Sequence, residues 1–140
     1  MTKVTRTAVS LEPELLAAFD RFIAGRGYDN RSEAIRDLIR EKLSEEELTR
    51  PETPAIAVAA LVYSHDELQL PHRLTELQHQ HTPTVVSAVH VHLDEQHCLE
   101  VVVLRGKSGE VTDIGNQLAS HRGVKYGKLF RAALKGLGAG

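Results

Sequence analysis

The sequence has few aromatic residues, one cysteine and no long hydrophobic run. It contains no tryptophan, three tyrosines and three phenylalanines in 140 residues, so its cores must be aliphatic. The single Cys98 excludes an intrachain disulfide and is typical of a reducing compartment, where a thiol is available for a metal. The longest apolar run, 55–62, is far too short to span a membrane. We therefore expect a soluble, cytoplasmic protein with no membrane partner.

The charge balance does not by itself indicate a partner. The formal net charge is −2, so there is no overall positive charge of the kind that favours nucleic acid. The length suits one ordinary domain or two small ones. Any indication of function must therefore come from the placement of particular residues.

Histidine is absent from the first 64 residues and concentrated beyond them. Of the eight histidines, five fall between residues 79 and 97. The simpler interpretation is that surface histidines happen to gather on a polar hairpin, because isolated His and Cys residues are mostly structural. Their spacing favours a metal site instead.

Two of these histidines, His90 and His92, lie in a predicted strand at 85–93. Alternate residues of a strand share a face, so both imidazoles lie on one face while Val91 is expected to face the core. The five residues between His92 and Cys98 are few enough for a hairpin loop, which returns the only thiol beside the imidazoles. This arrangement is typical of a transition-metal site.

The first 48 residues predict one strand and two helices. Residues 5–11 alternate between two faces, as in a short strand. Pro13 suits the first turn of a helix. Asn30 is placed to cap a second helix, with Glu33 at the third helical position as in a capping box. This helix is expected to end in the charged stretch 44–47.

One strand and two short helices cannot close a core alone, and a lone strand has two unpaired edges. Both problems disappear if two chains pair their strands antiparallel and interlock their helices. This arrangement is a ribbon-helix-helix dimer, which inserts its paired strands into the DNA major groove. The alternative is an exposed edge used for dimerisation without DNA.

The ribbon arrangement assigns a role to each face of the strand. The face expected in the dimer core consists of Thr7, Val9 and Leu11. The face expected to meet DNA bases consists of Arg6, Ala8 and Ser10. Arg6 can bind guanine through two hydrogen bonds, and Ser10 can bond to several bases. Asn30 and Arg31, at the start of the second helix, offer N–H groups and positive charge to a phosphate.

Residues 49–54 contain two prolines and no apolar periodicity, so they predict a linker between domains at 1–48 and 55–140. The second domain is predicted to contain strands at 56–63, 85–93, 99–105 and 124–130, and helices at 68–79 and about 111–118. The order βαββαβ is a ferredoxin-like arrangement, which makes the whole chain α+β. Because this fold hosts many unrelated functions, it does not decide between them.

Taken in order, these features resemble the NikR family of nickel-responsive transcriptional regulators. The resemblance covers nearly the whole chain: the ribbon-helix-helix start, the run from Arg26 to Asp37, and then His79, 90–92, 98–100 and 122–124. It implies a homotetramer in which two DNA-binding dimers flank a core of four ACT-like C-terminal domains. It also implies that the protein, when Ni(II) is bound, binds double-stranded operator DNA and represses nickel-uptake genes.

The resemblance also implies a metal site shared between subunits. One Ni(II) per subunit would be bound by His90, His92 and Cys98 of one subunit and by His79 of a neighbour. Three imidazoles and a thiolate also suit Cu(II), Zn(II) or Co(II), because geometry rather than affinity selects among these ions. Glu100, on the strand face of Cys98, is a candidate acceptor for an imidazole N–H.

Three positions depart from the family pattern. Residues matching Glu33 and Asp37 line an alkali-metal site in the family, but the third contributor, often Gln, is His121 here. The ribbon positions that are commonly Thr in relatives are Ala8 and Ser10, so the operator sequence does not carry over.

Other functions remain compatible with parts of the sequence. A metal-storage or metal-delivery protein would use the N-terminal dimer for assembly only, and a regulator could respond to Co, Cu or Zn. An ACT-like module that senses an amino acid is disfavoured by the histidine cluster. An enzyme with Cys98 as nucleophile is disfavoured because the additional histidines would have no task in its mechanism.

Overall fold

A computed structural model of the chain describes residues 3–67 and 69–134. In these ranges the elements are α1 Pro13–Ile23, α2 Arg31–Leu48, β1 Pro54–Ser64, α3 Leu70–His79, β2 Val85–His92, β3 His97–Lys107, α4 Ser108–Ala119 and β4 Val124–Ala133. Residue 68, the expected start of α3, and the outer ends of both predicted domains lie outside the described residues. None of these helices is long and apolar enough to cross a membrane.

Helices α1 and α2 form where the sequence predicts them. The Oδ1 of Asn30 accepts a hydrogen bond from the backbone N–H of Glu33 at 3.0 Å, which confirms the helix cap. The Glu33 carboxylate accepts the N–H of Asp29 instead of that of Asn30, so the capping box is displaced by one residue. Helix α2 continues past its expected end to Leu48, because Leu48 is buried in the core of the C-terminal part.

Residues 3–12 belong to no helix or strand. The strand predicted at 5–11 is therefore not formed within the single chain. The physical reason is that a strand is defined by hydrogen bonds to a second strand, and the sequence assigned that role to another copy of the chain.

The C-terminal part has the predicted βαββαβ order. Its four strands lie in the order β2-β3-β1-β4, and all neighbouring pairs are antiparallel. Alternate residues of β1 and β3 are buried on one face of the sheet. The core residues of α3 are Leu70 and Leu74, and those of α4 are Val111, Ile114 and Leu118. Both helices therefore cover this face.

The opposite face of the sheet, here called the open face, is rich in exposed apolar side chains. These include Val89, Val91, Tyr126 and Phe130. The expectation that Val91 faces the core is wrong, since Val91 is 39% exposed and lies opposite Leu99. The alternation of β2 correctly predicts that Val91 lies on the opposite face from His90 and His92. The face that the helices cover, however, is the one with the two histidines.

The predicted linker is held against the start of α4. Ser108 donates hydrogen bonds to the carbonyl oxygens of Leu48 and Thr53, and the N–H of Gly109 donates to that of Pro51, at 2.7–3.0 Å. A further hydrogen bond of 2.9 Å joins the N–H of Ala133 in β4 to the hydroxyl of Ser44 in α2. Ser108 is almost fully buried. Helix α2 is therefore attached to the C-terminal part at its end, while the domain boundaries at 1–48 and 55–140 stay predictions.

Candidate metal centre and nucleic-acid interface

The hairpin of β2 and β3 brings predicted ligands together. Its register places His92 opposite Cys98 and His90 opposite Glu100. Because directly opposed residues share a face, both imidazoles lie on the same face as the thiol. The Sγ of Cys98 lies 3.7 Å from Nδ1 of His92, and Cys98 is fully buried. The predicted hairpin return of the thiol is confirmed.

His65 lies beside the same thiol and was missed by the sequence analysis. Its Nδ1 is 3.8 Å from Sγ of Cys98, and the ligand atoms of His65, His92 and Cys98 all lie within 4.8 Å of one another. His65 follows β1 directly, and β1 pairs Tyr63 with Cys98. In the sequence His65 is only a histidine at the end of a predicted strand. The strand register that brings it beside Cys98 is a property of the fold.

His90 lies next to this group and contacts Tyr63. Its Nδ1 is 3.4 Å from the Tyr63 hydroxyl, and its ring centroid is 5.1 Å from that of His92. Burial is the main cause that raises the pKa of Tyr63 to about 12, and the nearby Glu100 and Cys98 add to the effect. The contact occupies Nδ1 and leaves Nε2 of His90 for a metal.

Glu100 is a buried carboxylate behind these donors, with 8% of its surface exposed. Its Oε1 accepts a hydrogen bond from Nε2 of Gln78 at 3.4 Å. Among the described residues its Oε2 has no hydrogen-bond partner. A buried carboxylate oxygen without a donor is unfavourable, so this position is suited to a further N–H or a nearby cation. Its predicted role as acceptor for an imidazole stays a prediction.

His79 is the last residue of α3 and is exposed. Within residues 3–67 and 69–134 the only three-donor metal cluster is the one of His65, His92 and Cys98, and His79 is not part of it. Its predicted role as a ligand from a neighbouring subunit stays a prediction.

The donor set fits a divalent transition metal of borderline softness. Imidazole nitrogens and a thiolate bind Ni(II), Cu(II), Zn(II) and Co(II), whereas Mg²⁺ and Ca²⁺ prefer oxygen ligands. The orphaned oxygen of Glu100 adds negative charge close to these donors. The residues present are therefore compatible with nickel.

The N-terminal segment borders an apolar groove of about 970 Å³ beside α1 and α2. Its apolar lining includes Val9, Leu11, Leu15, Phe19, Ile35 and Ile39. Thr7 also lines the groove, as expected for the inner face of the predicted strand. Ala8 and Ser10 are exposed and do not line it, whereas Arg6 does.

Arg31, at the start of α2, forms an ion pair with the carboxylate of Asp20 in α1. Its guanidinium donates two hydrogen bonds of 2.8 and 2.9 Å to Asp20. These bonds lower the pKa of Asp20. A phosphate that binds near Asn30 and Arg31 must therefore compete with Asp20.

The alkali-metal site predicted at Glu33 and Asp37 stays a prediction. Asp37 accepts a hydrogen bond from the Tyr28 hydroxyl at 2.9 Å, and Glu33 is used in the cap of α2. In the part of the chain that the structure describes, neither carboxylate joins His121 in a three-donor cluster.

Comparison with known proteins matches both parts of the chain. Residues 56–132 match the family described as NikR C terminal nickel binding domain, and residues 5–46 match the family described as Ribbon-helix-helix protein, copG family.

Similar curated proteins carry names that describe nickel-responsive regulators. The one from Trichlorobacter lovleyi is 48% identical over 93% of this chain and 94% of its own. The one from Thermococcus onnurineus is 47% identical over 91% and 92%, respectively. The one from Anaeromyxobacter dehalogenans is 50% identical over 91% and 93%.

Proposed function

The chain belongs to the NikR family of nickel-responsive regulators. We propose that it represses nickel-uptake genes when Ni(II) is bound. It is a nickel-responsive transcriptional regulator with a ribbon-helix-helix DNA-binding domain and a C-terminal nickel-binding domain. The observation that carries the proposal is the pairing of Cys98 with His92 at 3.7 Å in that domain.

In the proposed site, one Ni(II) per subunit binds His90, His92 and Cys98 of one subunit and His79 of a neighbour. The shared strand face of the first three residues and the exposure of His79 support this set. His65 is the competing donor, since it is as close to the thiol as His92 is. Bound nickel supplies a fixed connection between two chains, and Cys98 acts as a ligand rather than as a nucleophile.

Two apolar surfaces support a homotetramer. The groove beside residues 4–11 suits the pairing of two N-terminal segments, and the open face of the sheet suits contacts between C-terminal domains. Surfaces of this kind are typical of subunit interfaces. We propose a dimer of dimers in the cytoplasm, with no membrane partner.

In this assembly the metal acts on DNA binding through α3. His79, held by the ion of a neighbouring subunit, fixes the end of α3. The fixed end favours those arrangements of the DNA-binding dimers that can contact an operator. Nickel can shift the equilibrium between these arrangements only if it binds more tightly to those that can contact an operator than to the others.

The proposal predicts that Ni(II) strengthens operator binding. The operator is first selected from a pool of random DNA duplexes with nickel-loaded protein, and a gel shift then compares protein with and without Ni(II). We expect roughly 5- to 150-fold tighter binding with nickel, the usual range of such coupling. Equal affinity in the two samples would contradict regulation by nickel, and the absence of any selected operator would favour metal storage or delivery.

Arg6→Ala tests the DNA-binding face. If Arg6 contacts a base, its loss should cost about 1–3 kcal/mol of operator binding, because a bidentate base contact has this value. Nickel affinity should not change, since Arg6 lines the groove beside α1 and α2 and is not one of the proposed ligands. Fluorescence anisotropy with labelled operator measures the first effect and a nickel titration the second. Arg73→Ala, which removes the same charge from α3, is the control and should bind operator like the parent.

A further inference from the structure

An ion pair joins the two helices of the DNA-binding part at its surface. Oδ1 of Asp20 in α1 accepts a hydrogen bond from Nε of Arg31 at 2.9 Å, and Oδ2 accepts one from Nη2 at 2.8 Å. The side chains of Asp20 and Arg31 are 42% and 55% exposed, respectively. Arg31 also borders the groove that Arg6 lines, so the pair lies beside the segment that is proposed to contact DNA.

The fold does not require a carboxylate at position 20. Asp20 lies in the last turn of α1, which ends at Ile23. The C-terminal end of a helix carries a partial negative charge, so a carboxylate there is unfavourable for the helix itself. An ion pair as exposed as this one contributes little to folding, because water screens both charges. The position of Asp20 is explained better by its effect on Arg31.

This effect is to occupy the guanidinium with acceptors that resemble those of a phosphate. Carboxylate and phosphate both offer Arg two oxygens for a pair of parallel hydrogen bonds. While Asp20 holds the Nε and Nη2 edge of Arg31, a phosphate cannot form its own two-bond contact at that edge. Residues 1–48 contain eight Lys and Arg but ten Asp and Glu, so this part of the chain has little positive charge to spare. Each cation that a carboxylate neutralises therefore matters for the attraction to DNA.

We propose that Asp20 competes with DNA phosphate for Arg31 and thereby weakens the binding of every duplex, the operator included. The inference rests on the proposed function, in which Arg31 meets a phosphate of the operator. Without DNA the guanidinium stays paired with Asp20. When DNA binds, Arg31 turns to a phosphate and the carboxylate is released to water. Because phosphates carry no sequence information, the competition lowers affinity without changing which sequence is preferred.

A double-mutant cycle separates this competition from a general effect of charge. Asp20→Asn keeps the shape of the side chain and removes the charge that holds Arg31. Arg31→Gln removes the contested cation, and the double variant removes both partners. Glu14→Gln, at an exposed position in the first turn of the same helix, is the control for the change in net charge. Each change is made in the full-length chain.

Fluorescence anisotropy in excess Ni(II) compares the selected operator with a scrambled duplex of the same length. We expect Asp20→Asn to bind both duplexes roughly 2- to 30-fold more tightly, since a DNA-binding dimer contains two such pairs and each exposed pair changes an equilibrium roughly 1.4- to 5-fold. The gain should shrink as the salt concentration rises, because salt screens the pair that the variant lacks. In the Arg31→Gln background Asp20→Asn should tighten binding no more than Glu14→Gln does. Arg31→Gln alone should weaken the binding of both duplexes.

The results separate the competition from the proposed function. If the parent selects no operator, the proposed function is wrong and the competition with it. If an operator is selected but Asp20→Asn gains no affinity, or gains as much without Arg31 as with it, only the competition is overturned. The same conclusion follows if Arg31→Gln binds DNA like the parent. A merely structural pair would make Asp20→Asn less stable in urea without any gain in affinity.

Discussion

Replacing Cys98 by alanine is expected to abolish the thiolate-to-nickel absorption band and the response of operator binding to nickel. Cys98 is the only thiol in the sequence, so no other side chain can produce the band. Its Sγ lies within 3.8 Å of both His65 and His92, and it is the one fully buried donor of the group. Operator affinity in nickel should fall toward the metal-free value, by roughly 5- to 150-fold. An absorption spectrum of the nickel-loaded variant and a gel shift measure the two effects.

His65→Ala is the matched variant for this experiment. If nickel is bound by His90, His92, Cys98 and a neighbour's His79, the band should persist without His65. If His65 replaces one of these ligands, the band should shift or disappear. Survival of the band in Cys98→Ala would place the thiol outside the metal site and contradict the proposed ligand set. Urea denaturation of the metal-free variants establishes that both are folded.

Gly127→Ala is expected to destabilise the C-terminal part strongly. Gly127 lies in β4 where the strand passes the end of α4. A Cβ at this position would overlap the carbonyl oxygen of Ala119 and lie 2.7 Å from its carbonyl carbon. These are backbone atoms of a helix packed on the core, so they cannot move away without displacing α4. We expect a loss of about 3 kcal/mol or more in the free energy of unfolding, at the upper end of overpacking effects.

Gly106→Ala is the control, because Gly106 also lies in a strand and its added Cβ would meet its nearest atoms at 3.5 Å, an ordinary contact. Urea unfolding of the metal-free proteins measures both variants. The control should stay within about 0.5 kcal/mol of the parent, because its added Cβ makes only ordinary van der Waals contacts. Equal stabilities of the two variants would show that β4 and α4 are not packed as the structure describes.

Much of the fold could be predicted from local features of the sequence. Pro13 marks a helix start because it has no backbone N–H that a first turn would leave without a partner. Asn30 marks the next one because its side-chain oxygen accepts a hydrogen bond from such an N–H group. The short connection from His92 to Cys98 allows only a hairpin, so the approach of the thiol to the imidazole was predictable. The βαββαβ order followed from periodicity and turn residues in the same way.

Other features could not be predicted, because they depend on contacts between distant segments. Alternation in β2 shows that Val91 and His92 lie on opposite faces, but it does not show which face the helices cover. His65 joins Cys98 across 33 residues of sequence only because β1 and β3 pair in one particular register. The hydrogen bond from Gln78 to Glu100 depends in the same way on how α3 lies across β3.

The sequence by itself therefore determined the helices, the strands of the C-terminal part, their order along the chain and the family to which the chain belongs. It did so because helix period, strand alternation and short loops are encoded within a few consecutive residues. Only the tertiary structure decided which donors surround Cys98 and which face of the sheet stays open. The reason is that strand register and helix packing depend on which apolar side chains from distant segments can be buried together, and no single segment contains this information.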